Sequence, residues 1–208
     1  NFLNTIFRLP ILNFFCLIIF TVFKKKKILK KKTNKISFII PCKNEEDNIP
    51  LFYKEIQSIK SSKKIEFIFG NDKSDDHTQR NIELLKKKIR NKHQIIQYQG
   101  PGICKSKNVY KGIDLANGEI IVIYDADLTV RFDEIMNCIN LLNTSNTDFI
   151  NCTRMIYPQK DGAMKFANFI GNTIFAKLFS LLFKKKITDT LCGTKIFYKK
   201  DWLKIKMN

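Results

Sequence analysis

The chain has 208 residues, 44% of them hydrophobic, which is enough for one substantial core and excludes several large domains. Its formal net charge of +18 attracts nucleic acid, anionic lipid or phosphorylated ligands, unless it only reflects a compositional bias toward lysine. The six cysteines include no C-x-x-C pair, which argues against a disulfide framework or a zinc site and indicates reduced thiols in a cytosolic protein.

Residues 1–32 form a segment that is both apolar and basic. An apolar run at 14–23 is followed by lysines at 24–27 and 30–32. The run has about half of the roughly 20 residues that a spanning helix needs, and a signal peptide would carry its basic residues before the run. We therefore predict either an interfacial helix held by lysines on anionic lipid or the remnant of an upstream domain.

From residue 33 onward, short β-rich runs alternate with segments of helical period. The runs are ISFII (36–40), IEFIF (65–69), QIIQY (94–98), EIIVIY (119–124) and DFINC (148–152). Apolar residues between them recur at three- and four-residue steps, namely Ile49, Phe52, Ile56 and Ile59, then Ile82, Leu85 and Ile89, then Phe132, Ile135, Met136, Ile139 and Leu142. This alternation predicts an α/β domain over residues 33–208, with a mostly parallel central sheet and helices on both faces.

Acidic and amide residues follow three of the predicted strands, in PCKNEEDN, GNDKSDDHT and DAD. Ligands of such sheets bind beyond the carboxyl ends of the strands, so these groups should converge on one edge. Asp125 and Asp127 are two positions apart and should project the same way from an extended segment. Clustered carboxylates need a neutralising cation, and hard oxygen ligands suit Mg²⁺ or Mn²⁺. We therefore predict that this pair holds a divalent ion that bridges a diphosphate, rather than only capping the strand.

Four stretches together resemble a known family: SFIIPCKNEEDNI, FIFGNDKSDDHT, KSKNVYKGIDLANGEIIVIYDADL and ITDTLCGTKIF. Their order and spacing are similar to those of family 2 glycosyltransferases with the GT-A fold. The closest likeness is to the branch of dolichol-phosphate mannose synthase and the bacterial enzymes that glycosylate polyprenyl phosphates. The resemblance runs from about Lys35 to Trp202 and implies an inverting, metal-dependent hexosyltransferase that uses a UDP- or GDP-sugar. The chain also stops just after an apparent strand, so we expect the domain to be truncated at its C-terminus.

The resemblance assigns roles to individual positions on the donor side. Asp72 would contact the nucleobase, and Asp125 and Asp127 would serve the ribose, the diphosphate and the metal, Mg²⁺ or Mn²⁺. Lys105 would contact a phosphate. The nucleotide-sugar-binding residues implied in this way are Pro41, Asn44, Glu45, Asp72, Lys105 and Asp125.

Three residues are the catalytic candidates. Asp127 would act through the metal, while Arg154 falls where relatives carry a basic residue near the acceptor or the diphosphate, and a planar guanidinium suits phosphate. Asp189 matches the acidic residue that precedes the acceptor-side glycine. A hydroxyl acceptor would need Asp189 as a general base, whereas a phosphate acceptor is already anionic and would leave Asp189 an orienting role.

The chain departs from the family pattern in two loops. The usual acidic pair after the second strand reads Asn71 and Asp72, and the following glycine is Lys73. The usual Gly-Lys-Gly reads Cys104, Lys105 and Ser106. Glycine at such points allows close backbone approach or positive φ, so replacing it affects donor affinity before it affects the fold.

Three functions from different classes remain open. The favoured one is sugar transfer from a nucleotide sugar to a lipid phosphate at the cytoplasmic, inner face of the membrane. The second is transfer to a saccharide or another hydroxyl acceptor. The third is a non-catalytic GT-A-like or nucleic-acid-binding module, although the lysine runs lack interleaved aromatic residues, so no nucleic-acid partner is expected.

The segment 164–186, MKFANFIGNTIFAKLFSLLFKKK, carries large apolar residues at helical spacing followed by three lysines. Asn168, Asn172 and Lys177 interrupt it, so a helix here should lie in a bilayer surface rather than cross the bilayer. The alternative is an ordinary core helix that packs on the sheet. The aromatic content and the lysines favour an anionic membrane surface as a partner.

Overall fold

The computed structural model describes residues 33, 35–59, 64–89, 93–145, 147–153, 166–184, 186–190 and 192–206. Two predicted features lie outside these residues. They are the apolar and basic segment 1–32 and the acceptor-side candidate Arg154, and their roles stay predictions.

A six-stranded sheet forms the centre of the domain. Its strands are β1 (Lys35–Cys42), β2 (Lys64–Asn71), β3 (Gln94–Gln99), β4 (Ile120–Ile123), β5 (Phe149–Asn151) and β6 (Lys195–Tyr198). The order across the sheet is β3-β2-β1-β4-β6-β5, with β1 parallel to β2 and β4, and β2 parallel to β3. Strand β6 lies antiparallel between β4 and β5. The five predicted strands are confirmed as β1–β5, and the sheet is mostly parallel as predicted.

Helices follow the strands in the predicted alternation. They are α1 (Phe52–Ser58), α2 (Thr78–Lys88), α3 (Lys105–Leu115), α4 (Phe132–Thr144), α5 (Phe166–Phe183) and α6 (Lys199–Lys206). A short 3-10 turn, Ile49–Leu51, leads into α1 with Pro50 at an early position, where the missing N–H leaves no hydrogen bond unmade.

The alternation of side chains along the strands divides the core into two layers. On one face Phe38 of β1 stacks on Phe67 and Phe132, with ring centroids 5.1 and 4.9 Å apart, beneath α1, α2 and α4. On the other face the neighbouring Ile39 packs with Ile113 of α3, and Trp202 of α6 packs against the same cluster. Helices therefore cover both faces of the sheet, and the carboxyl ends of the parallel strands meet at one edge.

Candidate functional site

A cleft of about 370 Å³ opens at the carboxyl ends of β1, β2 and β4. It brings together polar residues from three strand ends and from the beginning of α3. The residues that line it are Pro41, Cys42, Lys43, Glu45, Asp72, Ile103, Cys104, Lys105, Asn108, Asp125, Ala126 and Asp127. Six of the residues predicted to bind donor or metal are among them, namely Pro41, Glu45, Asp72, Lys105, Asp125 and Asp127.

Asn71, the last residue of β2, and Asp72, which follows it, have different local roles. Asp72 is buried on the cleft wall, and its Oδ1 accepts a 2.6 Å hydrogen bond from the backbone N–H of Gly102. The Asn71 amide is used inside the loop, because its Nδ2 donates to Gln79 at 2.9 Å and its Oδ1 accepts from the Ser74 N–H at 3.1 Å. Asp72 therefore faces the cleft, while Asn71 shapes the loop.

Lys73 occupies a left-handed backbone position, with φ of 56°. A lysine there costs about 1–2 kcal/mol relative to an unstrained conformation, whereas glycine adopts the same conformation freely. The lysine stem lies against Gly102, since a Cβ added at Gly102 would stand 2.4 Å from the Lys73 Cδ. Lys73 thus adopts a backbone conformation that favours glycine and packs its aliphatic stem beside Gly102.

Asn44 and Glu45 follow β1, and only Glu45 lines the cleft. The backbone N–H of Asn44 donates to Ser74 Oγ, and its Oδ1 accepts from the Asp75 N–H, both at 3.0 Å. Asn44 therefore ties the loop after β1 to the loop after β2. Glu45 Oε2 accepts a 2.6 Å hydrogen bond from the side chain of Asn48, which fixes this carboxylate at the cleft margin.

The carboxylates after β4 differ in exposure. Asp125 is 8% exposed, forms an ion pair through Oδ1 with Lys105 at the first position of α3, and accepts a 3.1 Å hydrogen bond on Oδ2 from the Gly193 N–H. Asp127 is exposed, and its Oδ1 accepts from the Thr129 N–H at 3.1 Å. Both line the cleft, as the two-residue spacing predicts, but Asp125 is held by protein groups and Asp127 faces solvent.

This donor set fits one hard cation that is shared with a ligand. Within the residues that the structure describes, no three His, Cys, Asp or Glu side chains are grouped to hold a metal by themselves. Mg²⁺, however, commonly takes one or two carboxylates and completes its shell with substrate phosphates and water. Asp127 and Asp125 would supply those carboxylate oxygens, and the ammonium of Lys105 lies beside Asp125.

Asp189 lies away from the cleft lining. It is 0% exposed, and its Oδ1 accepts hydrogen bonds from Asn172 Nδ2 and from the Cys192 N–H, both at 3.0 Å. Asp189 lies in the segment between α5 and β6, which we call the acceptor-side loop after the role predicted for it, and its carboxylate is not among the cleft residues. Its burial was not visible in the sequence, because it depends on a polar contact from α5.

Asn108 is a cleft residue that sequence reasoning did not single out. It is 1% exposed on the sheet-facing side of α3, and its Nδ2 donates to the Gly70 carbonyl at 2.9 Å. No donor among the described residues reaches its Oδ1. A Cβ at Gly70 or at Gly100 would lie 2.6 or 2.7 Å from that oxygen, so both glycines make room for it. An amide on an otherwise apolar helix face next to Val109 is the signal that points to it.

Cys104 places an exposed thiol on the cleft wall. The five cysteines within the described residues carry free thiols, as predicted: Cys42, Cys104, Cys138, Cys152 and Cys192. A hydrogen bond to Ser106 Oγ at 3.1 Å, with help from backbone N–H groups, lowers the pKa of the Cys104 thiol. Burial instead raises the pKa of Cys42 on the same wall.

Helix α5 shows an inverted distribution of side chains. Its inner side is polar or small: Asn172 and Ala176 are buried, and Ser180 Oγ accepts a 2.8 Å hydrogen bond from the Ile187 N–H. Its outer side carries large apolar residues that are 43–77% exposed, and we call them the outer stripe: Ile170, Ile174, Phe175, Leu178, Leu181 and Leu182. Contrary to the alternative of an ordinary core helix, these side chains do not pack on the sheet.

Comparison with known proteins shows which family shares these features. The family model for glycosyl transferase family 2 matches residues 37–205. A prophage bactoprenol glucosyl transferase homolog of Escherichia coli is 32% identical over 96 residues, which cover 45% of this chain and 31% of that protein. An undecaprenyl-phosphate 4-deoxy-4-formamido-L-arabinose transferase of Proteus mirabilis is 30% identical over 107 residues, covering 50% of this chain and 32% of that protein. The matched part of the chain thus spans about a third of the length of these relatives.

Solved structures show the same fold. S. aureus TarS 1-349 in complex with UDP-GlcNAc superposes with a TM-score of 0.56 at 19% identity, covering 83% of this chain and 47% of that one. The mannosyltransferase PcManGT from Pyrobaculum calidifontis, in complex with GDP-Man and Mn²⁺, gives 0.52 at 20% identity, covering 60% and 38%. These neighbours confirm the predicted GT-A fold. The family model covers most of the chain, and the sheet, the cleft and the carboxylates at the strand ends all agree with this match. The chain therefore belongs to glycosyl transferase family 2.

Proposed function

We propose that this protein transfers a hexose from a nucleoside-diphosphate sugar, with UDP or GDP as the nucleotide, to a polyprenyl phosphate at a membrane surface. The donor side of the proposal is supported by the cleft. Asp72 offers a buried carboxylate to an N–H of the base, and Lys105 at the first turn of α3 adds positive charge where a diphosphate would lie. Pro41 and Glu45 border the same space.

Asp127, together with Asp125, would hold a divalent ion, Mg²⁺ or Mn²⁺, in contact with the diphosphate. Such an ion, when bound, stabilises the negative charge that develops on the departing nucleoside diphosphate. The protein's own groups orient that leaving group: Lys105 and the Gly193 N–H fix Asp125, and Asp127 faces the open cleft. In an inverting transfer the acceptor oxygen attacks the anomeric carbon from the opposite face.

The observation that carries the choice of acceptor is the burial of Asp189. A hydroxyl acceptor needs a general base within hydrogen-bond reach, and the Asp189 carboxylate is fully buried with hydrogen bonds from Asn172 and Cys192. A phosphate acceptor is already an anion and needs no base. This chemistry agrees with the names of the bactoprenol and undecaprenyl-phosphate relatives. Arg154 stays the proposed cationic contact to the acceptor phosphate.

The outer stripe of α5 supports a membrane surface as the place of reaction. A helix with six exposed large apolar residues is favoured at a lipid interface, where each apolar group is removed from water. Lys184 and Lys186 are exposed directly after the stripe and suit anionic headgroups, so we propose a peripheral position at the inner, cytoplasmic face. No helix in the described part of the chain has the length and apolar character needed to cross a bilayer.

The test is a transfer assay with matched acceptors. The protein is incubated with UDP-glucose, UDP-GlcNAc or GDP-mannose, with Mn²⁺ or Mg²⁺, and with polyprenyl phosphate in anionic vesicles or with free oligosaccharides. We expect a glycosylated lipid phosphate with one of the donors and no labelled oligosaccharide. Product on the oligosaccharide alone would favour the hydroxyl-directed enzyme, and the absence of both nucleotide binding and product would favour a non-catalytic domain.

A further inference from the structure

A buried polar cluster fastens α5 to the acceptor-side loop. Asn172, at 1% exposure, donates from Nδ2 to Asp189 Oδ1 at 3.0 Å. The Asn172 Oδ1 accepts two hydrogen bonds from Thr190, one from the backbone N–H at 2.8 Å and one from the hydroxyl at 2.6 Å. The amide of a single helix residue therefore binds two successive loop residues through both of its polar atoms.

The same loop reaches the donor cleft through its backbone. Asp189 Oδ1 also accepts from the Cys192 N–H at 3.0 Å, and the next residue, Gly193, donates its N–H to Asp125 Oδ2 at 3.1 Å. A Cβ at Gly193 would lie 2.3 Å from Asp125 Oδ1 and 2.4 Å from Oδ2, so only glycine permits this approach. Three hydrogen bonds and the backbone between Cys192 and Gly193 thus join α5 to the carboxylate at the donor cleft.

Because these groups are buried, the loss of any one of these hydrogen bonds should affect the others. A hydrogen bond to a charged group that is withdrawn from water is strong, and a buried carboxylate that loses a donor must move or regain solvent. If Asn172 is removed, Asp189 keeps the hydrogen bond from the Cys192 N–H but loses the one from Asn172 Nδ2. The backbone at 192–193 is then less constrained, and so is the N–H that orients Asp125.

We propose that Asn172 is a positioning residue for donor binding, which acts through Asp189 and the Gly193 amide to hold Asp125 in place. The inference rests on the proposed function, because Asp125 is assigned there to the diphosphate and its cation. It gives Asp189 a positioning role as well. Helix α5 then has the outer stripe on one side and, on the other side, Asn172, which helps to hold Asp125 in place.

The experiment measures nucleotide affinity, so it needs no acceptor. UDP and GDP are titrated by calorimetry into the full chain and into Asn172→Ala, each with and without Mn²⁺. We expect affinity for the preferred nucleotide to fall about tenfold in Asn172→Ala in the presence of Mn²⁺, within the range of couplings transmitted through hydrogen-bonded networks. The decrease should be smaller without Mn²⁺, because Asp125 contributes less when no cation is shared.

Ser180→Ala is the matched control. Its hydroxyl also joins α5 to the loop, at Ile187, but does not touch Asp189. This variant should keep nucleotide affinity within about twofold of the wild-type value, as expected for a residue outside the network. Equal losses in both variants would show that general loosening of α5 is responsible and would overturn the proposal. So would unchanged affinity in Asn172→Ala.

A second route avoids dependence on the folding of the α5 variants. Gly193→Ala displaces Asp125 directly, and it should weaken nucleotide binding about as much as Asn172→Ala. The double variant should bind no more weakly than either single variant, because both changes act on the same carboxylate. Fully additive losses would contradict the proposed series. If the wild-type protein binds neither nucleotide under any condition, the proposed function fails, whereas normal wild-type binding with unaffected variants removes this inference alone.

Discussion

The donor cleft and helix α5 use the same residue types in opposite ways. In the sheet that carries the cleft, apolar side chains such as Phe38 and Ile39 are buried in the core, and carboxylates gather at the edge where the cleft opens. In α5 the polar Asn172 is buried and the apolar Leu181 is 77% exposed. The cleft is therefore built for water and a charged ligand. The outer side of α5 is suited to a less polar surrounding, which is the physical basis for proposing a lipid surface.

The largest effect is expected from a substitution that disables the donor cleft and leaves α5 unchanged. Asp127→Asn removes one charge from an exposed carboxylate, so we expect the fold to remain as stable as before, because like-charge repulsion is relieved. Metal-dependent nucleotide binding should be lost, and turnover should fall by at least about 100-fold if the cation stabilises the leaving group. Calorimetry with Mn²⁺ and a thermal melt give the two readings. Wild-type-like donor binding in this variant would remove Asp127 from the metal site.

The next largest effect is expected from substitutions that disrupt the outer stripe of α5 and leave the donor cleft unchanged. Phe175→Glu combined with Leu182→Glu places two charges on the outer stripe, and we expect flotation with anionic liposomes to fall on the order of 100-fold, because two apolar anchors are lost. Transfer to lipid phosphate should fall with it, while UDP or GDP affinity stays unchanged. High salt should weaken flotation of the wild-type protein, because the lysines act through screened charge.

Leu203→Glu with Ile205→Glu on α6 is the matched control, because both residues are exposed and apolar and the change in charge is the same. This control should float like the wild-type protein. If the α6 control loses liposome binding to the same degree as the α5 variant, net charge and not the outer stripe governs membrane association, and the proposed role of α5 is wrong.

A smaller effect distinguishes Asp72 from Asn71, the two neighbouring residues at the carboxyl end of β2. Asp72→Ala should weaken nucleotide affinity by about 1.5–3 kcal/mol, because a carboxylate that accepts an N–H bond adds charge assistance. Asn71→Ala should change affinity less, since the amide is bonded to Gln79 and Ser74 within the loop. A larger loss of nucleotide affinity in Asn71→Ala than in Asp72→Ala would show that the base contact is assigned to the wrong residue.

The smallest effect concerns two cysteines, Cys104 on the cleft wall and Cys192 in the loop that α5 supports through Asp189. The lowered pKa of Cys104 means that its thiolate forms at a lower pH than in an ordinary cysteine, so Cys104 should be alkylated before Cys192 as pH rises. Cys192, buried in the acceptor-side loop, should react only after unfolding. Peptide mapping after brief iodoacetamide treatment gives the order, and bound nucleotide should protect Cys104. Faster labelling of Cys192 would show that the loop opens in solution.

The sequence was sufficient to predict the features that depend on local periodicity. The β-rich runs became β1–β5, and residues spaced like Ile82 and Leu85 became the buried faces of helices, because period and burial are coupled along a single element. The convergence of Asp72, Asp125 and Asp127 also followed, since strand ends of a parallel sheet share an edge.

The features that sequence alone could not predict depend on non-local pairing. The insertion of the antiparallel β6 between β4 and β5 is set by hydrogen bonds between distant segments. The ion pair of Lys105 with Asp125 and the burial of Asp189 by Asn172 join residues from different elements, and no local pattern encodes them. The helical period of α5 was visible, but which of its sides faces the protein was not.

The kcat of the Asp189→Asn variant tests most directly whether the acceptor is a phosphate that needs no general base. The variant keeps the size of the side chain and one carbonyl oxygen for the Cys192 N–H, but it cannot accept a proton. At saturating nucleotide sugar, with polyprenyl phosphate in anionic vesicles, we predict a kcat within about fivefold of the wild-type value, with an unchanged pH profile, because positioning residues act mainly on KM. A folded, nucleotide-binding Asp189→Asn protein whose kcat falls by about 1,000-fold or more, as expected for loss of a general base, would contradict the account.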